Sequence, residues 1–142
     1  MSAKMAAGGF ITTAPDLVRF MQAWMKGGLV STETKALMLA PYILPNKGGT
    51  VDNFGLGWYV DDYHGLKSAL YGGSTAQVSG FIFFVPEKQV GVAFLFNLED
   101  VSGSERSKLA RDITDVVLGY SPAEPVAPAA SPSAKPGAPT TK

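Results

Sequence analysis

Two groups of residues in this chain have the types and spacing to do chemistry. The first is Tyr71-Gly72-Gly73-Ser74-Thr75-Ala76, where a serine follows paired glycines. It approaches Gly-x-Ser-x-Gly, a pattern that exposes a nucleophilic serine on a sharp strand-to-helix turn. The second is Asp61-Asp62-Tyr63-His64-Gly65, which sets two carboxylates beside the single histidine of the chain. Those are the residue types of a general base or a metal site. Neither group has the context its chemistry needs. The residues after Ser74 read as a strand, so the nucleophile turn is missing. Neighbouring side chains of an extended segment point to opposite faces, so Asp61 and Asp62 do not converge. The cluster is expected to be a solvated polar turn, and a self-contained triad of Ser74, His64 and an aspartate is not expected. One histidine and no cysteine exclude a multi-histidine metal site, disulfides and thiol catalysis. No cofactor and no metal are expected.

The elements that must position Ser74 lie in the stretch Lys67–Asn97. Two apolar runs, Phe81–Val85 and Val90–Phe96, are joined by the short connection Pro86-Glu87-Lys88-Gln89. Phe, Val and Ile dominate both, which predicts two strands of an antiparallel hairpin. Both faces of Phe81–Val85 are apolar, so that strand needs cover on both sides. Gly72 and Gly73 leave the backbone open to close approach by another chain or a ligand. The stretch is expected to form the centre of a sheet, with a ligand-facing edge at Tyr71–Ser74.

Helices are expected on either side. Thr13 as N-cap, Pro15 in the first turn and Asp16 three residues after the cap mark a helix start. Leu17, Phe20, Met21, Trp24 and Met25 then recur on one face, and Gly27-Gly28 stops the helix. A short helix follows from Ser31 to Leu39, ended by Pro41, and Tyr42–Asn53 reads as an exposed loop. Phe54-Gly55-Leu56-Gly57-Trp58-Tyr59-Val60 reads as a strand or bend packed close to another backbone. A last helix runs from Ser102 or Ser104 to Leu118, with Gly119 as its stop. Leu109, Ile113, Val116 and Val117 form its apolar stripe, and Arg106, Lys108 and Arg111 are expected on a solvated face.

Twelve basic and twelve acidic residues are scattered through 142 positions, which argues against nucleic acid as a partner. No segment approaches the roughly 18 apolar residues of a membrane span. The opening MSAKMAAGGF has no sustained apolar core and does not read as a signal peptide. From Ser121 onward six of the ten prolines are crowded among Ala, Ser and Thr. Such a segment cannot bury enough apolar surface to offset its ordering entropy. Residues 1–120 are therefore expected to be one domain and 121–142 an extended Pro/Ala-rich tail or linker.

Four pieces taken in order carry a family resemblance. They are Ala7-Gly8-Gly9-Phe10-Ile11-Thr12-Thr13 leading into Asp16-Leu17; Phe54-Gly55-Leu56-Gly57-Trp58; Tyr71-Gly72-Gly73-Ser74-Thr75; and Val85-Pro86-Glu87 through Val90-Gly91-Val92 to Asn97. Together they resemble the C-terminal part of the serine β-lactamase and penicillin-binding-protein family, in its class C-related branch of β-lactamases, D-amino-acid peptidases and esterases. The resemblance implies an α+β fold: an antiparallel sheet of at least three strands, with the Thr13 helix and the C-terminal helix packed on it. It also implies acyl-enzyme hydrolysis of an amide, β-lactam or ester, and an exported location. In that family a Lys-Thr-Gly or His-x-Gly triad forms one wall of the active site, and the residue after it supplies an oxyanion-hole N–H. Tyr71, Gly72 and Gly73 stand at the triad and would line the substrate, and the Ser74 N–H would be the oxyanion donor. Tyr71 removes the positive charge or imidazole usual there, and Gln77 stands where relatives often have glycine.

The family's Ser-x-x-Lys nucleophile and Tyr-x-Asn or Ser-x-Asn motif do not occur in these 142 residues. The chain is expected to be the later part of a hydrolase domain and inactive alone, taking a small-molecule substrate only with the missing half supplied. The alternative is a non-catalytic remnant or interaction module of the same fold. An apolar face left uncovered would promote self-association.

Overall fold

Cap chemistry places the helices where the sequence sets them. In the computed structural model, which describes residues 10–46, 49–75, 77–98 and 101–121, α1 (Ala14–Lys26) begins after Thr13. The Thr13 side chain accepts the Asp16 N–H, and Gly27 ends the helix in the left-handed region at φ 90°. The short α2 (Thr32–Met38) is capped by Ser31, whose side chain accepts the Thr34 N–H. The last helix, α3 (Gly103–Leu118), opens with a reciprocal capping box between Ser102 and Glu105 and closes on Gly119.

Between the helices runs a six-stranded antiparallel meander in sequential order. Its strands are β1 (Tyr42–Asn46), β2 (Gly49–Phe54), β3 (Tyr59–Tyr63), β4 (Leu66–Thr75), β5 (Val78–Val85) and β6 (Val90–Phe96). The fold is α+β, as the resemblance implies, and the β5–β6 hairpin falls on the two apolar runs. Its connection is a 3₁₀ turn, Pro86–Lys88, followed by Gln89 at φ 55°.

The expectation of a loop over Tyr42–Asn53 is corrected. The described residues of that segment form β1 and β2, a hairpin paired from Tyr42↔Phe54 to Asn46↔Gly49 with one irregularity. Pro45 is compatible with pairing because β1 is the outermost strand, where a missing N–H removes no inner ladder bond. This hairpin joins the rest of the sheet through one pair, Phe54↔Tyr59.

Helix α1 covers one face of the sheet. Met21, Trp24 and Met25 pack with Trp58, Val60, Ala69 and Phe84. Trp24 and Trp58 both meet the Phe84 ring edge-on, at centroid distances of 5.2 and 5.0 Å. Full burial of such side chains stabilises by about 1.5–3 kcal/mol each. Gly55 is required beside this core, since a Cβ there would sit 2.1 Å from the Met38 carbonyl oxygen.

Helix α3 covers the other face, where Ala110 joins Tyr63, Phe81, Phe83 and Val85. Its orientation overturns the expected one. Arg106, Ala110, Thr114 and Asp115 are buried, whereas Leu109, Ile113, Val116 and Val117 face outward, Val116 being 72% exposed. Partners across the sheet decide this. Arg106 finds two backbone carbonyls and Asp115 finds Tyr63 and His64, while buried Thr114 satisfies its hydroxyl within the helix on the Ala110 carbonyl at 2.7 Å. The apolar stripe is left without cover among the described residues. The expected domain limit and tail fall largely on residues 122–142, outside the described residues.

Candidate active-site edge

Strand β4 is longer than the strand beside it. Pairing with β3 runs from Tyr63↔Leu66 to Tyr59↔Leu70 and stops there. Pairing with β5 continues to Thr75↔Val78. Among the described residues, Tyr71–Thr75 thus has a partner strand on one side and an open edge on the other.

The direction of the backbone groups at that edge follows from Arg106. Its Nη1 donates to the Gly73 carbonyl at 3.0 Å and to the Gly80 carbonyl at 3.1 Å. Gly73 and Gly80 are register partners. One nitrogen can reach both oxygens only if both lie between the strands, which makes this the hydrogen-bonded pair. Alternation in an antiparallel ladder then turns the N–H and C=O groups of Gly72 and Ser74 away from β5, toward the open edge.

The two glycines of the motif have different jobs. A Cβ on Gly72 would lie 2.7 Å from Phe81 Cδ2, whereas one on Gly73 would meet nothing within 4 Å among the described residues. Tyr71 is partly exposed and its ring stacks on Tyr59, with centroids 6.0 Å apart and planes 24° from parallel. Phe54 meets the Tyr59 ring edge-on at 4.8 Å, extending an aromatic row beside the edge. Gln77, in the β4–β5 turn, adopts φ 68°, the left-handed conformation that glycine takes without strain.

Ser74 is exposed and β5 follows it directly, so the strand-to-helix turn of a serine nucleophile is absent there. Ser74 and His64 stand near opposite ends of β4, on the order of 30 Å apart at strand rise. The structure does not bring them together.

The second group is neither a metal site nor a merely solvated turn. Among the described residues, no cluster of three His, Cys, Asp or Glu could hold a metal ion. Asp61 and Asp62 part as alternation requires. Asp61 Oδ2 pairs with Arg111 Nη2 at 2.5 Å, and Asp62 Oδ1 accepts the Gly65 N–H at 3.1 Å. Arg111, expected in solvent, instead lies over the Phe83 and Tyr63 rings and donates to the Asp62 carbonyl. His64 turns inward at φ 52°, with Nε2 2.9 Å from Asp115 Oδ1, and Tyr63 Oη donates to the same oxygen at 2.5 Å. Burial pushes the Asp115 carboxyl up, but bonds from Tyr63 and His64 and the charges of His64 and Arg111 outweigh it and leave it below the usual carboxylate range. Burial, reinforced by Asp115, raises the Tyr63 phenol.

Arg106 and Asp115 were missed as organising residues. The available signal was the 106, 110, 114 spacing, which puts Arg, Ala and Thr on one narrow helix face. Arg106 also lines a cavity of about 300 Å³ between α3 and the sheet, with Tyr59, Leu70, Gly72, Phe81 and Ser107 among its walls.

The α+β meander with α1 and α3 on its two faces is similar in fold to a penicillin-binding-protein homologue. The octameric penicillin-binding protein homologue from Pyrococcus abyssi matches with a TM-score of 0.65 and 26% identity, over 78% of this chain. This chain spans 25% of that one. Comparison with curated proteins found no match. The β-lactamase family model matches residues 1–115, and the chain belongs to the β-lactamase family.

Proposed function

We propose that this chain supplies one wall of a serine hydrolase active site that works by acyl-enzyme transfer on an amide, β-lactam or ester. Tyr71, Gly72 and Gly73 line the substrate, and the Ser74 N–H stabilises the oxyanion. The observation that supports this most is the open edge of β4. A donor fixed on a strand that is paired along its other side needs no reorganisation when charge develops on the substrate. Tyr71 offers a phenol and a stacked ring where the family usually has a cation or imidazole, so charge-based recognition at that position is weakened. The nucleophile and base come from residues other than these 142, and the chain alone turns nothing over.

Complementation tests the reading. The 142-residue chain is combined with a second chain carrying the Ser-x-x-Lys and Tyr-x-Asn segments of a β-lactamase-family protein, and turnover of a chromogenic ester is followed. Ser74→Pro removes the N–H while sparing the β5 ladder, and Ser74→Ala keeps it. The expected result is a loss of about 10²–10³ in kcat for the proline variant, with the alanine variant close to the parent. Equal loss in both variants, or none in the proline variant, overturns the assignment. A fluorophosphonate probe applied to the chain alone is expected to leave Ser74 unlabelled.

A further inference from the structure

We infer that the cavity between α3 and the sheet is a binding site for a small carboxylate with an apolar body, read by Arg106. This site lies beneath the α3 helix and borders the proposed substrate wall at Gly72, and its test reads binding rather than turnover.

Arg106 is 8% exposed, and among the described residues no carboxylate pairs with it. The nearby acids are engaged elsewhere. Glu105 accepts the Ser102 N–H and hydroxyl in the capping box, and Asp61, which also lines the cavity, has its charge held by Arg111. The two carbonyls bound by Nη1 place the guanidinium beside the Gly73–Gly80 pair, and Phe81 lies with its ring centroid 6.0 Å from the Arg106 Cζ. Its Nε is buried and has no hydrogen-bond partner among the described residues.

A buried guanidinium is permanently charged and has five N–H donors, so carbonyl oxygens alone leave both its charge and its remaining donors uncompensated. A carboxylate supplies the missing negative charge and a planar pair of acceptors that matches the guanidinium fork. Gly103, the first residue of α3, also lines the cavity and brings the positive end of a 16-residue helix to it. Tyr59, Leu70 and Phe81 supply apolar wall beside the polar Asn53, Asp61 and Ser107, which suits a ring or short alkyl body on the apolar side. At about 300 Å³ the space is at the small end of ligand pockets, the size of a single-ring acid.

Benzoate and its neutral isostere benzamide separate charge recognition from simple filling. Each is titrated into the full chain at constant ionic strength while the Arg106 Nε–H resonance and the Ser107 amide are followed by NMR. Saturable benzoate binding that shifts both signals is expected, with benzamide about tenfold weaker or more. Ser107→Phe fills the cavity and leaves Arg106 in place. It is expected to abolish the benzoate response while the circular dichroism spectrum stays that of the parent. Arg106→Met, if folded, is expected to bind benzoate no better than benzamide. Benzoate that does not saturate, benzamide that binds equally well, or a Ser107→Phe chain that responds like the parent overturns the site and leaves the cavity to water.

Discussion

His64 Nε2 and Asp115 Oδ1 lie 2.9 Å apart although fifty-one positions separate them in sequence. The contact ties the β3–β4 turn to the C-terminal turns of α3, and the Tyr63 hydroxyl joins it on the same oxygen. His64 also packs against Tyr120, with ring centroids 4.6 Å apart and planes tilted by 34°, so packing holds the histidine end of the clasp.

Asp115→Ala removes the acceptor of two donors, one of them the hydroxyl of fully buried Tyr63. Leaving that group unpaired is expected to cost about 2–4 kcal/mol. Denaturant titration checks the value, and Tyr63→Phe should cost less because it removes the donor together with its need for a partner. A pH series adds a signature. The folded Asp115 carboxyl titrates below its unfolded value, so its contribution is complete above the unfolded value, near about 3.9, and is lost as pH falls through the folded one. The alanine variant should therefore lose stability less steeply than the parent as the solution is acidified below about pH 4.

The glycines of the β4 motif are expected to answer substitution differently. Gly72→Ala drives a Cβ into the Phe81 ring and should cost about 1–3 kcal/mol. Gly73→Ala meets open space at an ordinary φ and should change stability by no more than about 0.5 kcal/mol. Gly55→Ala, aimed at the Met38 carbonyl, is expected to be the most damaging of the three. Thermal melts of the three variants rank them directly, and an alanine at Gly73 as harmful as one at Gly72 would contradict the packing described.

The outward stripe of α3 is expected to drive association. Leu109, Ile113, Val116 and Val117 form a row of partly exposed apolar side chains on one helix. Sedimentation velocity should find the parent chain associating with rising concentration. Val116→Lys combined with Val117→Lys should shift it toward monomer with little change in melting temperature, since neither side chain is buried. A parent chain that stays monomeric at all concentrations would show that the stripe is tolerated in water.

The sequence by itself determined the parts governed by neighbours a few residues apart. Thr13, Ser31 and Ser102 cap helices, Gly27 and Gly119 stop them, and the two apolar runs form the β5–β6 hairpin. The Tyr71–Ser74 motif also lies on a strand, as the family resemblance implied. The tertiary structure decided everything that depended on partners far along the chain. Tyr42–Asn53 contains loop-forming residues, yet β1 and β2 within it pair with each other, which local composition does not report. The rotation of α3 was decided in the same way. Periodicity marked the apolar stripe as the buried face, but two carbonyls some thirty residues away and a Tyr–His pair some fifty residues away drew Arg106 and Asp115 inward instead. A buried charge needs specific partners in specific places, whereas an apolar side chain needs only cover. That asymmetry let the polar face set the helix, while the open edge of β4 follows from β3 pairing that ends at Leu70.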